Sequence, residues 1–164
     1  MTHRVIVSSV LLSASCISAW RPVAAGRFVV LPEAEARSVV RQCSRSAPEI
    51  EGTWQLSESD TALLERDLRQ LQRLYAVGCC FRGARIGNVD EYLRQYAGVI
   101  VRGQRYIYIN ALTADLIEDR PPTEIVPRWK ESAFVACDGG PAFWGALYSP
   151  ASRRFFELSI NGIP

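Results

Sequence analysis

In Arg105-Tyr106-Ile107-Tyr108-Ile109-Asn110-Ala111-Leu112, ring-bearing or polar side chains alternate with aliphatic ones at a period of two from Tyr106 to Ala111. Side chains of a β-strand point to opposite faces in turn. This stretch therefore reads as a strand with Tyr106, Tyr108 and Asn110 on one face and Ile107, Ile109 and Ala111 on the other. Immediately before it, Leu93 to Val101 is a second strand-like run, and Arg102-Gly103 between them is the signal of a tight hairpin turn. Downstream, Thr113 to Arg128 carries Pro121, Pro122, Pro127 and four acids and reads as a long loop. A third strand is expected over Ala133 to Cys137. Asp138-Gly139-Gly140 then turns into Phe143 to Tyr148, and Ser149-Pro150-Ala151-Ser152 turns into Arg154 to Ile160.

Upstream of the hairpin the period changes from two to that of a helix. Leu64, Leu68, Leu71 and Tyr75 recur at helical spacing, with Glu65, Arg66, Asp67, Arg69, Gln70, Gln72 and Arg73 on the other faces. Ser57 or Ser59 caps the start, Asp60 completes a loose capping box with Ser57, and Gly78 fits a left-handed stop. Gly26 to Leu31 is β-like, Glu33 to Cys43 has helical composition, and residues 44–56 read as an irregular crossing anchored by Trp54. The expected fold class is α+β: an amphipathic helix packed on a four- to five-stranded antiparallel meander sheet, with a single domain over residues 57–164 and residues 26–56 as an N-terminal extension.

The 164 residues suffice for one domain, and 48% apolar with 22% charged residues excludes a disordered or collagen-like chain. No apolar run approaches the roughly 20 residues of a membrane span, which excludes a helical transmembrane bundle. The first 25 residues read as a signal peptide: His3 and Arg4, then an uncharged apolar and small-residue stretch from Val5 to Ala19. Val23-Ala24-Ala25 directs cleavage before Gly26. A competing lipoprotein-type box, Leu12-Ser13-Ala14-Ser15-Cys16, makes Cys16 the lipidation candidate. Cleavage at Ala25 removes Arg4, Arg21 and no acid, so the 17 basic and 17 acidic residues that remain cancel. A neutral chain offers no electrostatic case for nucleic acid, and membrane contact is expected only through the lipid anchor.

Five cysteines fall to four once Cys16 is set aside: Cys43, Cys79, Cys80 and Cys137. An exported chain is expected to oxidise them. Because a disulfide between neighbours in sequence distorts the backbone, Cys43 and Cys137 are each expected to take one of the Cys79-Cys80 pair. Each closure contributes roughly 3 to 4 kcal/mol on the chain-entropy account.

The only histidine is His3. Beyond the leader there is consequently no Ser-His or Cys-His pair and no His-based zinc site. GxSxG, GxxxxGK[ST] and GxGxxG are all absent, so no cofactor or metal is expected. The acids Asp90, Glu91, Asp115, Glu118, Asp119 and Asp138 leave room for a carboxylate-dependent hydrolase as the alternative reading. The leading reading is non-enzymatic. Tyr96, Tyr106, Tyr108 and Trp144 are candidates for one outer sheet face, and Asp138 for the turn beside it. Rings with polar tips on such a surface suit binding of a protein or a glycan.

The succession Tyr106-Ile107-Tyr108-Ile109-Asn110, Trp129, Asp138-Gly139-Gly140, Phe143-Trp144-Gly145, Tyr148, Phe155 and Asn161-Gly162 resembles a family of small exported bacterial proteins of uncharacterised activity. The likeness covers about 75 residues from Tyr92 onward. It implies export and one α+β domain, and it transfers no catalytic residue. The functional expectation is an exported, non-catalytic binding protein of the bacterial envelope, periplasmic, secreted or lipid-anchored. Its partner is expected to be another protein, which it acts on as an inhibitor or immunity-type factor. A structural subunit of an envelope complex is the further alternative. Oligomeric state stays open.

Overall fold

The computed structural model describes residues 26–78, 80–119 and 128–164. The expected signal peptide, Cys16, Cys79 and the middle of the expected 113–128 loop lie outside the described residues. The hairpin expected around Arg102-Gly103 is the centre of the molecule. Strand β3 (Tyr92–Val101) and strand β4 (Gln104–Thr113) pair antiparallel over their full ten residues, from Tyr92↔Thr113 to Val101↔Gln104. The chain reverses at Arg102 (φ 50°) and Gly103 (φ 70°), the doubly left-handed turn whose twist matches a two-residue hairpin. Strands β5 (Phe143–Ser149) and β6 (Arg154–Ile160) extend the meander, β5 against β4 and β6 against β5, both antiparallel.

The sheet is nevertheless mixed, and among the described residues it holds six strands. Strand β1 (Phe28–Val30) runs parallel to β3 against Arg94 to Tyr96. Strand β2 (Gly52–Trp54) lies antiparallel against Gly98 to Ile100, on the same edge of β3. A ten-residue strand outlasts either three-residue partner, so two short strands share its edge end to end. Residues 26–56, expected as an extension, thus supply one edge of the sheet. Gly98 makes the β2 contact possible, because a Cβ there would fall 2.0 Å from the Trp54 carbonyl oxygen. Trp54 in turn donates its Nε1 proton to the carbonyls of Val99 (3.2 Å) and Tyr106 (3.0 Å), anchoring the crossing as the sequence suggests.

Two further expectations are corrected. Ala133 to Cys137 is no strand; it crosses over the sheet as an irregular segment whose backbone groups are taken by side chains. The long helix is also shorter than its apolar pattern. Helix α2 covers Glu58–Asp67 and tightens into a 3-10 segment over Leu68–Arg73, ending well before Gly78. Ser57 caps it as read, with Asp60 N donating to Ser57 Oγ (3.3 Å) and Ser57 N to Asp60 Oδ2 (2.9 Å). Leu64, Leu68 and Leu71 are buried, whereas Tyr75 is 56% exposed because the chain has already become extended at Leu74.

Apolar clusters cover both faces of the sheet. On one, Leu64, Leu68 and Leu71 join Tyr92, Tyr96, Ile107, Ile109, Trp144, Tyr148 and Ile160. On the other, Leu31 and the short helix α1 (Ala36–Val40) meet Ala97, Val99, Tyr108 and Leu147. A third cluster seats Trp129 against Leu93, Leu112 and Ala114, next to the short helix α3 (Asp115–Glu118). Complete burial of one such leucine or isoleucine contributes roughly 1.5 to 3 kcal/mol.

Candidate functional site

The tyrosines and tryptophan singled out for an outer sheet face do not form one. Tyr96, Tyr108 and Trp144 are essentially inaccessible, and Tyr106 is half-buried. Register explains the outcome. Tyr96 stands opposite Ile109, and Tyr108 opposite Ala97. The two rings therefore point to opposite sides of the sheet, and both sides are covered. Tyr106 alone keeps an open flank, edge-on to the partly exposed ring of Phe156.

The buried tyrosine hydroxyls are each hydrogen-bonded within the protein, whereas the Trp144 Nε1 has no acceptor among the described residues. On the α2 side Tyr96 donates its hydroxyl proton to Glu65 and accepts from Arg94 Nε at 2.9 Å. Arg94, 2% exposed, also donates to the carbonyls of Val89 (2.9 Å) and Tyr92 (2.8 Å) and pairs with Glu65 at 3.3 Å. Burial pushes the Tyr96 phenol well above its usual range. Burial opposes the Arg94 charge, but Tyr96 and Glu65 outweigh it and hold the guanidinium more firmly protonated. A second centre lies further along α2, where Asp67 accepts from Tyr148 Oη (2.7 Å), Arg153 Nε (3.0 Å) and Arg153 Nη2 (2.6 Å). The Arg153 hydrogen bonds, aided by Tyr148 and opposed by burial, hold the Asp67 carboxyl below its ordinary value. Burial, with the Asp67 hydrogen bond, raises the Tyr148 phenol.

The opposite face carries a different arrangement, a row of side-chain amides under the segment 128–138. Gln95 Nε2 donates to the carbonyls of Trp129 and Ser132 (2.7 Å), and Gln95 Oε1 accepts from Phe134 N (2.9 Å). Asn110 Nδ2 donates to Phe134 O (2.8 Å) and to Gln95 Oε1 (2.8 Å). Gln42 grips the segment with both ends, donating to Phe134 O (3.2 Å) and accepting from Ala136 N (3.4 Å). Asn161 Nδ2 completes the row on the carbonyls of Ala136 (2.7 Å) and Asp138 (3.3 Å). Four amides from four separate stretches of chain thus pair with one extended backbone in place of a neighbouring strand.

Arg45, 5% exposed, lies at this row. Its Nη1 donates to Asn161 Oδ1 (3.0 Å), and its Nη2 to Tyr108 Oη (3.0 Å) and Asn110 Oδ1. Among the described residues no carboxylate pairs with it, and its Nε has no acceptor. The guanidinium rests on the backbone of Gly145, where a Cβ would stand 3.1 Å from Nε and 2.7 Å from Tyr108 Oη. Reading the sequence for motifs missed Arg45, Gln42, Gln95, Asn110 and Asn161 as a set. One signal was available: Gln95 and Asn110 each interrupt an apolar strand, at positions that the hairpin register places face to face.

Cysteine pairing is corrected here. Cys43 is bonded to Cys137, with Cα atoms 4.8 Å apart, and neither takes a partner from the adjacent pair. The amide row lays the segment 134–138 beside the end of α1, which brings Cys137 to Cys43. Cys80 Sγ donates to the Ser44 carbonyl at 3.5 Å.

Asp138 is exposed, as a turn residue should be, and the turn is left-handed at Gly139 (φ 99°) and Gly140 (φ 52°). It belongs to a corner built from three loops. Gly140 N donates to Gly162 O (2.8 Å), and a Cβ on Gly140 would touch Ile163 (3.0 Å) and Phe81 (3.5 Å). Val77 N donates to Leu158 O (2.9 Å), beside the same chain end. Ile163 is 66%, Tyr75 56% and Val77 53% exposed, with Arg85 lying over the Tyr75 ring.

The remaining acids flank one end of the sheet, where Tyr92 pairs with Thr113 and Ala114 N donates to Glu91 O (2.9 Å). Asp90 pairs with Arg69 (3.0 Å), and Glu118 with Arg27 (3.4 Å). Two shallow grooves flank Ala47 and Pro48, of about 380 and 240 Å³; neither includes any of the six acids singled out from the sequence. Among the described residues no group of three or more His, Cys, Asp or Glu side chains is placed to hold a metal ion, and no helix is long and apolar enough to cross a membrane. No family model, curated protein or solved structure matches this chain.

Proposed function

We propose that this chain is an exported, non-catalytic binding protein of the bacterial envelope that acts on another protein as an inhibitor or immunity-type factor. The observation that carries the reading is the exposure of three large apolar side chains, Tyr75, Val77 and Ile163, the last of them next to Gly140 of the Asp138-Gly139-Gly140 turn. Large apolar side chains left open to water suit a protein partner better than a solvated edge does. This surface replaces the sheet face expected from the sequence and keeps Asp138 from the original set. The Cys43–Cys137 disulfide supports an extracytoplasmic location, since such bonds persist in oxidising compartments.

Two measurements test this. Intact mass of the protein from its native envelope should read a chain beginning at Gly26, or a lipid on Cys16; an unprocessed chain removes the export part of the proposal. Cross-linking in that envelope should yield a discrete protein adduct that disappears in the Tyr75→Ser/Val77→Ser/Ile163→Ser variant while its thermal midpoint stays within a few degrees of wild type. An adduct that survives the triple substitution places the partner elsewhere and rejects the corner.

A further inference from the structure

The segment from Trp129 to Asp138 is fixed to the sheet at two unequal ends. At its start Trp129 is buried between Leu93, Leu112 and Ala114, and the Phe134 ring stacks on Phe143 with centroids 5.6 Å apart. Beyond Phe134 the packing stops. Val135 is 48% exposed, and Cys137 and Asp138 are exposed as well. What holds this second half is the pair of amides Gln42 and Asn161 together with the covalent bond to Cys43. Among the described residues no backbone ladder backs it up. Cys43 is also exposed, so both sulfurs lie on residues that a reductant can approach.

We propose that the Cys43–Cys137 disulfide is a reducible latch: its reduction releases residues 135–138 from the sheet and bares Asn161 and the Arg45 guanidinium beneath, while the six-stranded sheet stays folded. The chemistry is thiol–disulfide exchange with a dithiol. One thiolate of the dithiol attacks a sulfur of the bridge, and its second thiol displaces the mixed disulfide. Two electrons and two protons pass to the protein, leaving Cys43 and Cys137 as thiols and the reagent as its own disulfide. Asn161 then loses the carbonyls of Ala136 and Asp138 as acceptors. Arg45, which among the described residues has no carboxylate, exchanges a covered position for contact with water. The latch stands independently of the binding role proposed above.

Hydrogen exchange on the oxidised protein, before and after treatment with dithiothreitol under native conditions, tests the latch. Release predicts that the Ala136 amide, held by Gln42, exchanges at least about tenfold faster after reduction, while the central-strand amides of Tyr108 and Ile109 change by less than about twofold. The Cys43→Ser/Cys137→Ser variant should reproduce that selective pattern without reagent. Three outcomes would overturn the proposal: a bridge that resists the dithiol in the folded protein, equal acceleration across the sheet, or unchanged exchange at Ala136 in the reduced protein. A double serine variant that does not fold overturns it too, because the bond is then a staple for the whole sheet.

Discussion

Arg94 and Arg45 are buried guanidinium groups on opposite faces of one sheet, and they are accommodated differently. Arg94 has a carboxylate, a phenol and two carbonyls around it, so its charge is compensated. Arg45 has only neutral acceptors among the described residues, and one N–H goes without. A buried charge without a counter-ion is costly unless the hydrogen bonds around it are good. Asp67 gives the residue scale its pH dependence. Its folded-state carboxyl titrates below the ordinary 3.8, so its contribution to stability is present above that value and is lost as pH falls through the folded-state pKa. In denaturant titrations between pH 6 and pH 2, Asp67→Asn is expected to be less stable than wild type by about 1 to 3 kcal/mol at pH 6. The gap should narrow toward pH 2. A gap independent of pH would show that the carboxylate charge is not what Arg153 and Tyr148 recognise.

Strand β3 shows at the level of elements how one small residue decides an edge. β2 approaches so closely at Gly98 that the Trp54 carbonyl occupies the place of a side chain. Gly98→Ala is therefore expected to push β2 away and cost about 1 to 3 kcal/mol, with loss of the Trp54 Nε1 bonds to Val99 and Tyr106 visible as a shifted indole proton resonance. An unchanged indole signal would mean that β2 adapts by other means. The same element shows what periodicity can reveal. Strand β4 and its turn at Arg102-Gly103 were legible because alternation and turn chemistry are local. The face of each ring was not, since Tyr96 and Tyr108 are separated by a hairpin whose register reverses their relation. Nor was the segment 133–137, because side-chain amides replaced the partner strand and left no periodic trace. Cysteine pairing failed for a related reason: the contact of Cys43 with Cys137 depends on that segment crossing the sheet. Parallel pairing of β1 was equally hidden, since three residues carry no sign of direction.

At the scale of the whole molecule, residues 26–56 contribute strands and packing to the sheet built by residues 57–164. β1 and β2 cover the β3 edge, α1 fills the second face, and residues 42–45 hold the segment over the amide row. A fragment beginning at residue 57 would leave the β3 edge bare and Val99 and Tyr108 without Val39 and Val40. Residues 57–164 alone are expected to show no cooperative thermal transition by circular dichroism, whereas residues 26–164 should melt in one step. A cooperative 57–164 fragment would restore the N-terminal part to the status of an appendage.

The amide row also imposes an order in time. Its members come from positions 42, 95, 110 and 161, so the covering segment has nowhere complete to settle until the β3–β4 hairpin has formed and the last strand has been delivered. Contacts between such distant positions form late, because the loops that join them must close first. Bond formation between Cys43 and Cys137, 94 residues apart, is consequently a finishing event. On this order the oxidised bridge is expected to mark molecules whose sheet has assembled, a chemical record of folding that reached its end.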